Sequence, residues 1–227
     1  VWSPDSTRLA FGENSFLNLK DGDLWVMDAA SGTLTNITND RYDGNIMLSS
    51  DDIPDLRYSV DIAPAWTPDG KSITYSSTQF DGSQSLGNVI AQVPADGSAA
   101  AQTLVQVSET EPGVVYYGTG WSPDGMSFYY SLNHSNLDDP ENGIWVYEQS
   151  TGAARQLAVS DDPESGSLAL KQVSPAGDRL LAYYPAGLVQ MGGLKKSMLR
   201  FVDPVTGEMA FTRTAGPPTS KIGRAHV

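Results

Sequence analysis

The feature that most constrains this chain is a short internal repeat. A tryptophan, a serine or threonine, a proline and an aspartate occur together three times, and a fourth copy keeps the serine, the proline and the glycine. The copies begin about 50 to 65 residues apart. Such a period predicts that each copy belongs to one repeated supersecondary unit. The repeat positions are Trp2, Pro4, Asp5, Trp66, Pro68, Asp69, Gly70, Trp121, Pro123, Asp124, Gly125, Pro175 and Gly177.

Each copy predicts a tight turn between two strands. Proline presets φ at the second turn position, aspartate tolerates the next position, and glycine accepts a positive φ. A short alternating apolar run follows each turn, and a third run then ends in a turn that contains glycine. These later glycines are Gly32, Gly97, Gly152 and Gly207. Alternating runs between turn residues predict four short strands per unit.

Four strands per unit and periodic aromatic residues are typical of propeller blades. A β-sandwich also has many short strands, but it would not repeat the same order with the same turn residues. We therefore predict an all-β fold: a β-propeller fragment of four successive four-stranded antiparallel blades from a six- to eight-bladed ring. The predicted blades cover about residues 1–38, 63–105, 115–158 and 168–213. All five tryptophans occupy repeat positions, so we expect them to pack between blades.

The two ends of the sequence have their own interpretation. Val1 lies inside a repeat unit, so we expect the first blade to lack its opening strand. Residues 214–221 are interpreted as a linker or the beginning of a truncated next segment. Residues 222–227 have the sequence that translation of a common short-read sequencing adapter would produce, and we expect them to be foreign to the fold.

The Trp-Ser-Pro-Asp-Gly turn, the apolar run after it and strands such as Ile144-Trp145-Val146-Tyr147 resemble the TolB-type (WD-like) propeller repeat. The resemblance covers about residues 1–213. The fourth copy departs from it, with Val173 for tryptophan and Ala176 for aspartate, which predicts a weaker turn. The resemblance implies one of three settings: an envelope protein similar to TolB, the gating domain of a prolyl-oligopeptidase-like serine peptidase, or an oligosaccharide-processing protein.

Composition excludes several classes of function. The net charge of −13 and the pI of about 4.3 disfavour nucleic acids and anionic membrane surfaces as partners. The sequence has no cysteine, which excludes disulfides and thiolate chemistry. No apolar run approaches the roughly 20 residues of a membrane helix, so we expect no membrane insertion.

Binding is expected where the connections are long. Second-to-third strand loops such as Thr78–Gly87, and blade-to-blade loops such as Asn39–Ile62, should emerge on one face. Long loops on one face of a repeat protein commonly form its binding side. That face is rich in acidic residues, which favours cationic partners. The candidate binding residues are Asp51, Asp52, Asp55, Arg57, Tyr58, His134, Asp138, Asp139, Glu141, Asp161, Asp162 and Glu164.

Calcium is the one cofactor that these loops could bind. Hard cations need several oxygen ligands, and Asp138, Asp139 and Glu141 are weak candidates to supply them. No segment has EF-hand spacing, and aspartate, proline and glycine favour solvated turns without any metal. We expect no other cofactor.

The sequence predicts no catalytic residue. A Ser-His-Asp mechanism needs a histidine, and the two present are His134 and His226, the second of which lies in the foreign tail. The chain has no Gly-x-Ser-x-Gly elbow, P-loop, dinucleotide fingerprint or His-Glu-x-x-His motif.

We therefore expect a non-catalytic binding or scaffold propeller, similar to TolB, in the periplasm or outside a bacterial cell. Its partners would be a protein or peptide on the long-loop face and further blades of the same chain. The alternative is a gating propeller whose peptidase domain lies outside this sequence. A third hypothesis is a metal-assisted carbohydrate-processing propeller.

Overall fold

All strands of the described structure belong to antiparallel sheets. The computed structural model describes residues 1–12, 22–40, 57–82, 84–108, 119–134, 136, 138–160, 168–184 and 198–214, and only the backbone of Ser108, Met198 and 210–214. Fifteen strands and no helix occur within these residues. The strands form four sheets, and within each sheet every strand pairs with its neighbour in sequence. The predicted all-β propeller fragment is confirmed.

Each sheet is one blade, numbered here in chain order. Blade 1 contains β1 (Arg8–Gly12), β2 (Leu24–Asp28) and β3 (Leu34–Asn36). Blade 2 contains β4 (Arg57–Trp66), β5 (Ser72–Asp81), β6 (Gln84–Pro94) and β7 (Gln102–Ser108). Blade 3 contains β8 (Thr119–Trp121), β9 (Ser127–Leu132), β10 (Gly143–Glu148) and β11 (Ala153–Val159). Blade 4 contains β12 (Ala169–Val173), β13 (Leu180–Tyr184), β14 (Met198–Val202) and β15 (Met209–Thr214).

The repeated turn is held by its aspartate. In blade 1 the Asp5 carboxylate accepts hydrogen bonds from Ser3 Oγ at 2.6 Å and from Thr7 N at 3.1 Å. These bonds, with the one from Ser3 first, lower the pKa of Asp5 to about 2. Asp69 and Asp124 accept the same bonds from the motif hydroxyl and from the backbone two residues onward. The aspartate side chain therefore links the serine or threonine at the start of the turn to the backbone at its end.

In the fourth turn, the serine hydroxyl donates to an aspartate at a different position. Ala176 has no acceptor, but the Ser174 hydroxyl donates instead to Asp178 at 2.8 Å. The backbone bond from Gly177 N to Ser174 O, also 2.8 Å, is the same as in the other turns. The turn that the sequence predicted to be weaker therefore retains both its backbone bond and a serine–aspartate bond.

The tryptophans that precede the turns of blades 2 and 3 pack on the preceding blade. Trp66 donates its indole hydrogen to Val1 O at 3.1 Å, and Trp121 donates to Thr74 Oγ1 at 3.1 Å. Arg8 of blade 1 lies over the Trp66 ring at 4.8 Å. Trp2 is 58% exposed because no described sheet lies against it. The expectation that all five tryptophans are packed is therefore wrong for Trp2.

Apolar side chains fill the space between blades. One cluster joins blades 1 and 2 through residues such as Val26 and Ile73, and another joins blades 2 and 3 around Trp121 and Phe128. The third joins blades 3 and 4 through Ile144, Leu168 and others. The core thus consists of successive interfaces, as in other repeat proteins in which each unit contacts its neighbours.

Blade 1 has three strands, and only a single bridge between Trp2 and Leu9 represents its opening strand, as expected from the position of Val1 inside a repeat unit. Two sequence-based expectations need correction. Thr78–Gly87 is no loop, since β5 and β6 pair almost to their tips at Asp81 and Gln84. Blade 2 also begins at Arg57, earlier than predicted, because β4 pairs with β5 along its whole length.

Candidate functional site

The direction of the strands separates the blades into two ends. The first strand of each four-stranded blade ends, and the second begins, at the proline turn. Third-to-fourth strand turns lie at the same end. The second-to-third and blade-to-blade connections therefore lie at the opposite end, called here the long-loop end. Two polar groups of side chains stand out: one around Asp61, midway along β4 at the interface between blades 1 and 2, and one around His134 at the long-loop end.

Asp61 lies on β4 at the face of blade 2 that contacts blade 1. It pairs with Ser77 of β5, and its backbone N–H donates to Gly22 O at 2.9 Å. Only 1% of the residue is exposed. Ser59 Oγ donates to Asp61 Oδ2 at 3.3 Å, whereas Oδ1 is buried without a hydrogen-bond partner. A buried carboxyl group with an unused acceptor is energetically costly, so Asp61 is a candidate binding residue.

Asp61 lines a cavity of about 440 Å³ between blades 1 and 2. Its wall is largely polar, and its outer part is lined by the exposed residues Ala99, Ala100 and Ala101. The polar side chains that line it include Asn36, Thr38, Ser59, Tyr75, Ser77 and Gln79. The cavity is thus an interblade slot with hydrogen-bonding groups along it.

The blade 1 wall of this slot is held by Asp23. The Asp23 carboxylate accepts from Asn36 Nδ2 at 2.6 Å and from Thr38 Oγ1 at 3.5 Å. Thr38 Oγ1 in turn accepts from Leu24 N at 2.9 Å. Because these bonds join β3 to the beginning of β2, the polar wall is anchored to the frame of the blade.

Burial dominates the electrostatics of Asp61. Removal from water raises the pKa of Asp61 to about 7, although the nearby hydroxyls of Ser77, Thr38 and Ser59 oppose the shift. The nearby Asp23 charge raises it further. Burial also raises the pKa of Tyr75, with the Asp61 charge as the second cause. Asp61 is therefore divided between its neutral and charged forms near neutral pH, and an approaching cation would favour the charged form.

The second polar group lies in the connection between β9 and β10. His134 Nε2 lies 3.3 Å from Glu141 Oε2, and the histidine side chain is 11% exposed. The backbone N–H of His134 donates to Asn142 Oδ1 at 2.5 Å, and Asn142 Nδ2 donates to Asn136 O at 2.8 Å. Asp139 Oδ1 accepts from the N–H of Glu141 at 2.9 Å. Asn142 thus holds both sides of the loop together.

This group has the composition of a metal site. One ligand atom each from His134, Asp139 and Glu141 lie within 4.8 Å of one another. Asp138, one of the sequence-based calcium candidates, is not a member of this group. An imidazole with two carboxylates suits zinc or another transition metal better than calcium, which prefers oxygen ligands alone.

Arg57 and Tyr58 lie on a strand, whereas the sequence placed them in a loop. Arg57 Nε lies 3.3 Å from Asp81 Oδ2, and the side chains are 79% and 42% exposed respectively. Tyr58 is 5% exposed and stacks on Phe80 with ring centroids 4.9 Å apart. Arg57 is therefore available to a partner at the long-loop end, whereas Tyr58 contributes to packing.

The other predicted binding residues, Asp51, Asp52, Asp55, Asp161, Asp162 and Glu164, lie outside the described residues. Asp61 was missed by the sequence-based reasoning. The signal for it is a charged residue inside an alternating run, five residues before the motif tryptophan. Blade 4 has Leu168 at the same distance before Val173.

The comparisons with known proteins concern the fold. No protein-family model and no curated protein sequence matches the chain. Among solved structures, TolB from Acinetobacter baumannii is similar, with a TM-score of 0.58 and 17% identity over 95% of this chain and 42% of that one. A prolyl endopeptidase has a TM-score of 0.57 and 17% identity over 97% of this chain and 28% of that one.

A third similar structure is an oligogalacturonate lyase from Vibrio parahaemolyticus, with a TM-score of 0.55 and 11% identity over 96% of this chain and 52% of that one. The chain thus spans less than half of the length of the TolB structure and little more than a quarter of the peptidase. Within the described residues, no helix is long and apolar enough to cross a membrane. The chain has the fold of a TolB-like β-propeller.

Proposed function

We propose that this chain is part of a non-catalytic binding propeller of the bacterial envelope, which holds a protein or peptide partner at its long-loop end. The observation that carries the proposal is the unequal distribution of polar groups between the two ends. The proline-turn end consists of short turns whose aspartates are already hydrogen-bonded. The group around His134 lies at the other end. The cavity at Asp61, where Oδ1 has no hydrogen-bond partner among the described residues, runs along the interface between blades 1 and 2 and extends to residues 99–101 of the β6–β7 connection.

Charge supports a cationic partner. The net charge is −13, and Asp138, Asp139 and Glu141 contribute part of it at the long-loop end. An acidic surface attracts basic segments and accelerates their association. We therefore propose that the partner presents a lysine- or arginine-rich segment.

The described residues support a binding role over a catalytic one. His134 is the only histidine among them, and its Nε2 faces Glu141 instead of a serine or threonine hydroxyl. A nucleophile of the serine-peptidase type needs a base within hydrogen-bond reach. The alternative function, a gating propeller, places that machinery in a separate domain.

A matched pair of variants tests the binding proposal. Glu141→Gln removes a charge at the long-loop end, and Glu208→Gln removes one at the exposed proline-turn end. In the complete parent protein, we expect Glu141→Gln to weaken binding of an oligo-lysine peptide severalfold at low salt, and Glu208→Gln to change it little. Equal effects of the two variants would contradict a partner site at the long-loop end.

The gating alternative has a separate test. Sequencing the parent gene downstream should reveal an α/β-hydrolase segment with a Gly-x-Ser-x-Gly elbow if this propeller gates a peptidase. Hydrolysis of a proline-containing peptide by the parent protein would establish that alternative. The carbohydrate hypothesis predicts cleavage of oligogalacturonate that depends on an added divalent metal and on His134.

A further inference from the structure

The strand register of blade 2 shows how the slot between blades 1 and 2 is oriented relative to the strands. Asp61 lies on β4, the first strand of blade 2, and pairs with Ser77 on β5. Tyr75, two residues earlier on β5, pairs with Ala91 on β6, and Ala91 pairs with Thr103 on β7. All of these residues line the cavity. The slot therefore crosses the sheet from Asp61 at the first strand to residues 99–103 at the fourth strand.

The two ends of the slot differ in size and charge. The fourth-strand end is lined by Ala99, Ala100 and Ala101, which are exposed and carry the smallest side chains after glycine. The first-strand end contains the carboxyl group of Asp61, whose residue is 1% exposed. An opening lined by small residues, with an acid at the far end, fits an elongated ligand with a positive tip.

No counter-charge lines the slot on the protein side. None of the described lining residues is a lysine, an arginine or a histidine. Among the described residues, only the Ser59 hydroxyl donates to the Asp61 carboxyl, at Oδ2 and 3.3 Å, and the Ser77 and Thr38 hydroxyls that line the slot are near enough to turn toward a bound group. Buried carboxylates are normally paired with a cation or fully hydrogen-bonded, and no described residue that lines the slot supplies a cation.

We propose that this slot binds the side chain of a lysine or arginine, with the Asp61 carboxylate as its counter-ion. The inference rests on the proposed binding function and specifies how the partner is recognised: the aliphatic part of the side chain lies along Ile37 and Ala91, and the cationic tip reaches Asp61. Long cationic side chains bury their methylene groups against apolar surface in this way. The slot thereby selects a single basic residue within the partner.

The probe for this proposal is a small molecule, N-acetyl-arginine methylamide, with its citrulline counterpart as the uncharged isostere. Binding to the complete parent protein is measured by calorimetry and by chemical-shift changes. We expect the arginine compound to bind at least about tenfold more tightly than the citrulline compound, because a hydrogen bond to a charged group stabilises a complex more than one to a neutral group. Equal binding of the two compounds, or no binding of the arginine compound, would overturn the proposal.

Two variants and one control locate the binding. Asp61→Asn keeps the shape of the side chain and should abolish the preference for arginine over citrulline. Ala100→Trp should weaken binding of the arginine compound by narrowing the opening, and its exposed position outside any strand makes the fold insensitive to it. Asp81→Asn removes a charge from the same blade but not from the slot, and should leave the preference intact.

These measurements separate the slot from the proposed function. If a basic peptide binds the wild-type parent protein and its Asp61→Asn variant equally well, the slot proposal fails while the long-loop binding function stands. If the arginine compound binds in an Asp61-dependent manner but no basic peptide binds, the partner proposal fails and the slot stands as a site for a free cationic ligand.

Discussion

The interface between blades 1 and 2 differs sharply from the interface between blades 3 and 4, although both use the same frame. Trp66 pairs with Ile73 in one, and Val173 pairs with Leu180 in the other. Counting from these pairs, Asp61 corresponds to Leu168 and Ser77 to Tyr184. Leu168 and Tyr184 are completely buried in an apolar cluster, whereas Asp61 and Ser77 line a cavity.

This difference teaches that blade geometry and interface chemistry are set separately. The turns and strand pairings are the same in both blades, so the backbone brings equivalent positions to equivalent places. Two side chains then decide whether an interface closes as a core or leaves a polar slot. Close packing stabilises an interface made of apolar side chains. A buried carboxyl group with few hydrogen-bond partners makes such close apolar packing energetically costly.

The largest effect should come from moving the acid to the apolar interface. Leu168→Asp places a carboxyl group among Ile144, Leu180 and Tyr184 without a cavity to receive it. We expect the free energy of unfolding to fall by more than about 4 kcal/mol, because an unpaired buried charge adds to the lost packing. Denaturant unfolding measures the loss, with Leu168→Ala as the control for lost packing alone. A cost no greater than that of the alanine variant would show that this interface tolerates acids too.

A pH series sharpens the comparison from the other side. The pKa of Asp61 is raised from 3.8 to about 7, so the folded state holds its proton more tightly than the unfolded state. The protonated carboxyl contributes stability below about pH 4, and this contribution is lost as pH rises to about 7. Asp61→Asn should remove that loss and be more stable than the wild type at about pH 8. Parallel pH profiles of the two proteins would contradict the raised pKa.

The interface between blades 2 and 3 offers an intermediate case. Trp121 Nε1 donates to Thr74 Oγ1 in a buried hydrogen bond. Thr74→Val keeps the volume but leaves the indole hydrogen without an acceptor, which should cost about 1–3 kcal/mol. Combining it with Trp121→Phe in a double-mutant cycle should recover part of the cost, since the second change removes the unpaired donor. Fully additive losses would argue that the bond contributes little.

The smallest effect should come from the substituted turn of blade 4. Asp178→Ala removes the acceptor of the Ser174 hydroxyl at an exposed position. We expect a loss below about 1 kcal/mol, because water replaces the acceptor. Ala176→Asp restores the repeat residue, and in the Asp178→Ala background it should recover the stability. No recovery in thermal unfolding would mean that the two aspartates are not equivalent.

Much of the fold could be predicted because the turn signals are local. Proline, aspartate and glycine act through their own φ preferences and through hydrogen bonds to residues two or three positions away. Four copies of such a signal therefore predicted four sheets and the order of their strands. The same reasoning failed for Thr78–Gly87, where β5 and β6 extend through polar residues because the paired backbone satisfies its own hydrogen bonds.

The sequence by itself determined the repeated frame, the acidic charge and the end at which long connections lie. Only the tertiary structure decided which side chains meet: Asp61 with the wall of Asn36 and Thr38 across a blade interface, and His134 with Glu141 within one loop of blade 3. Asp61 and Thr38 meet through sheets that contact each other face to face, and the strand register selects the facing residues. The physical reason is that turn chemistry acts over a few residues, whereas burial of a carboxyl group depends on a neighbouring sheet.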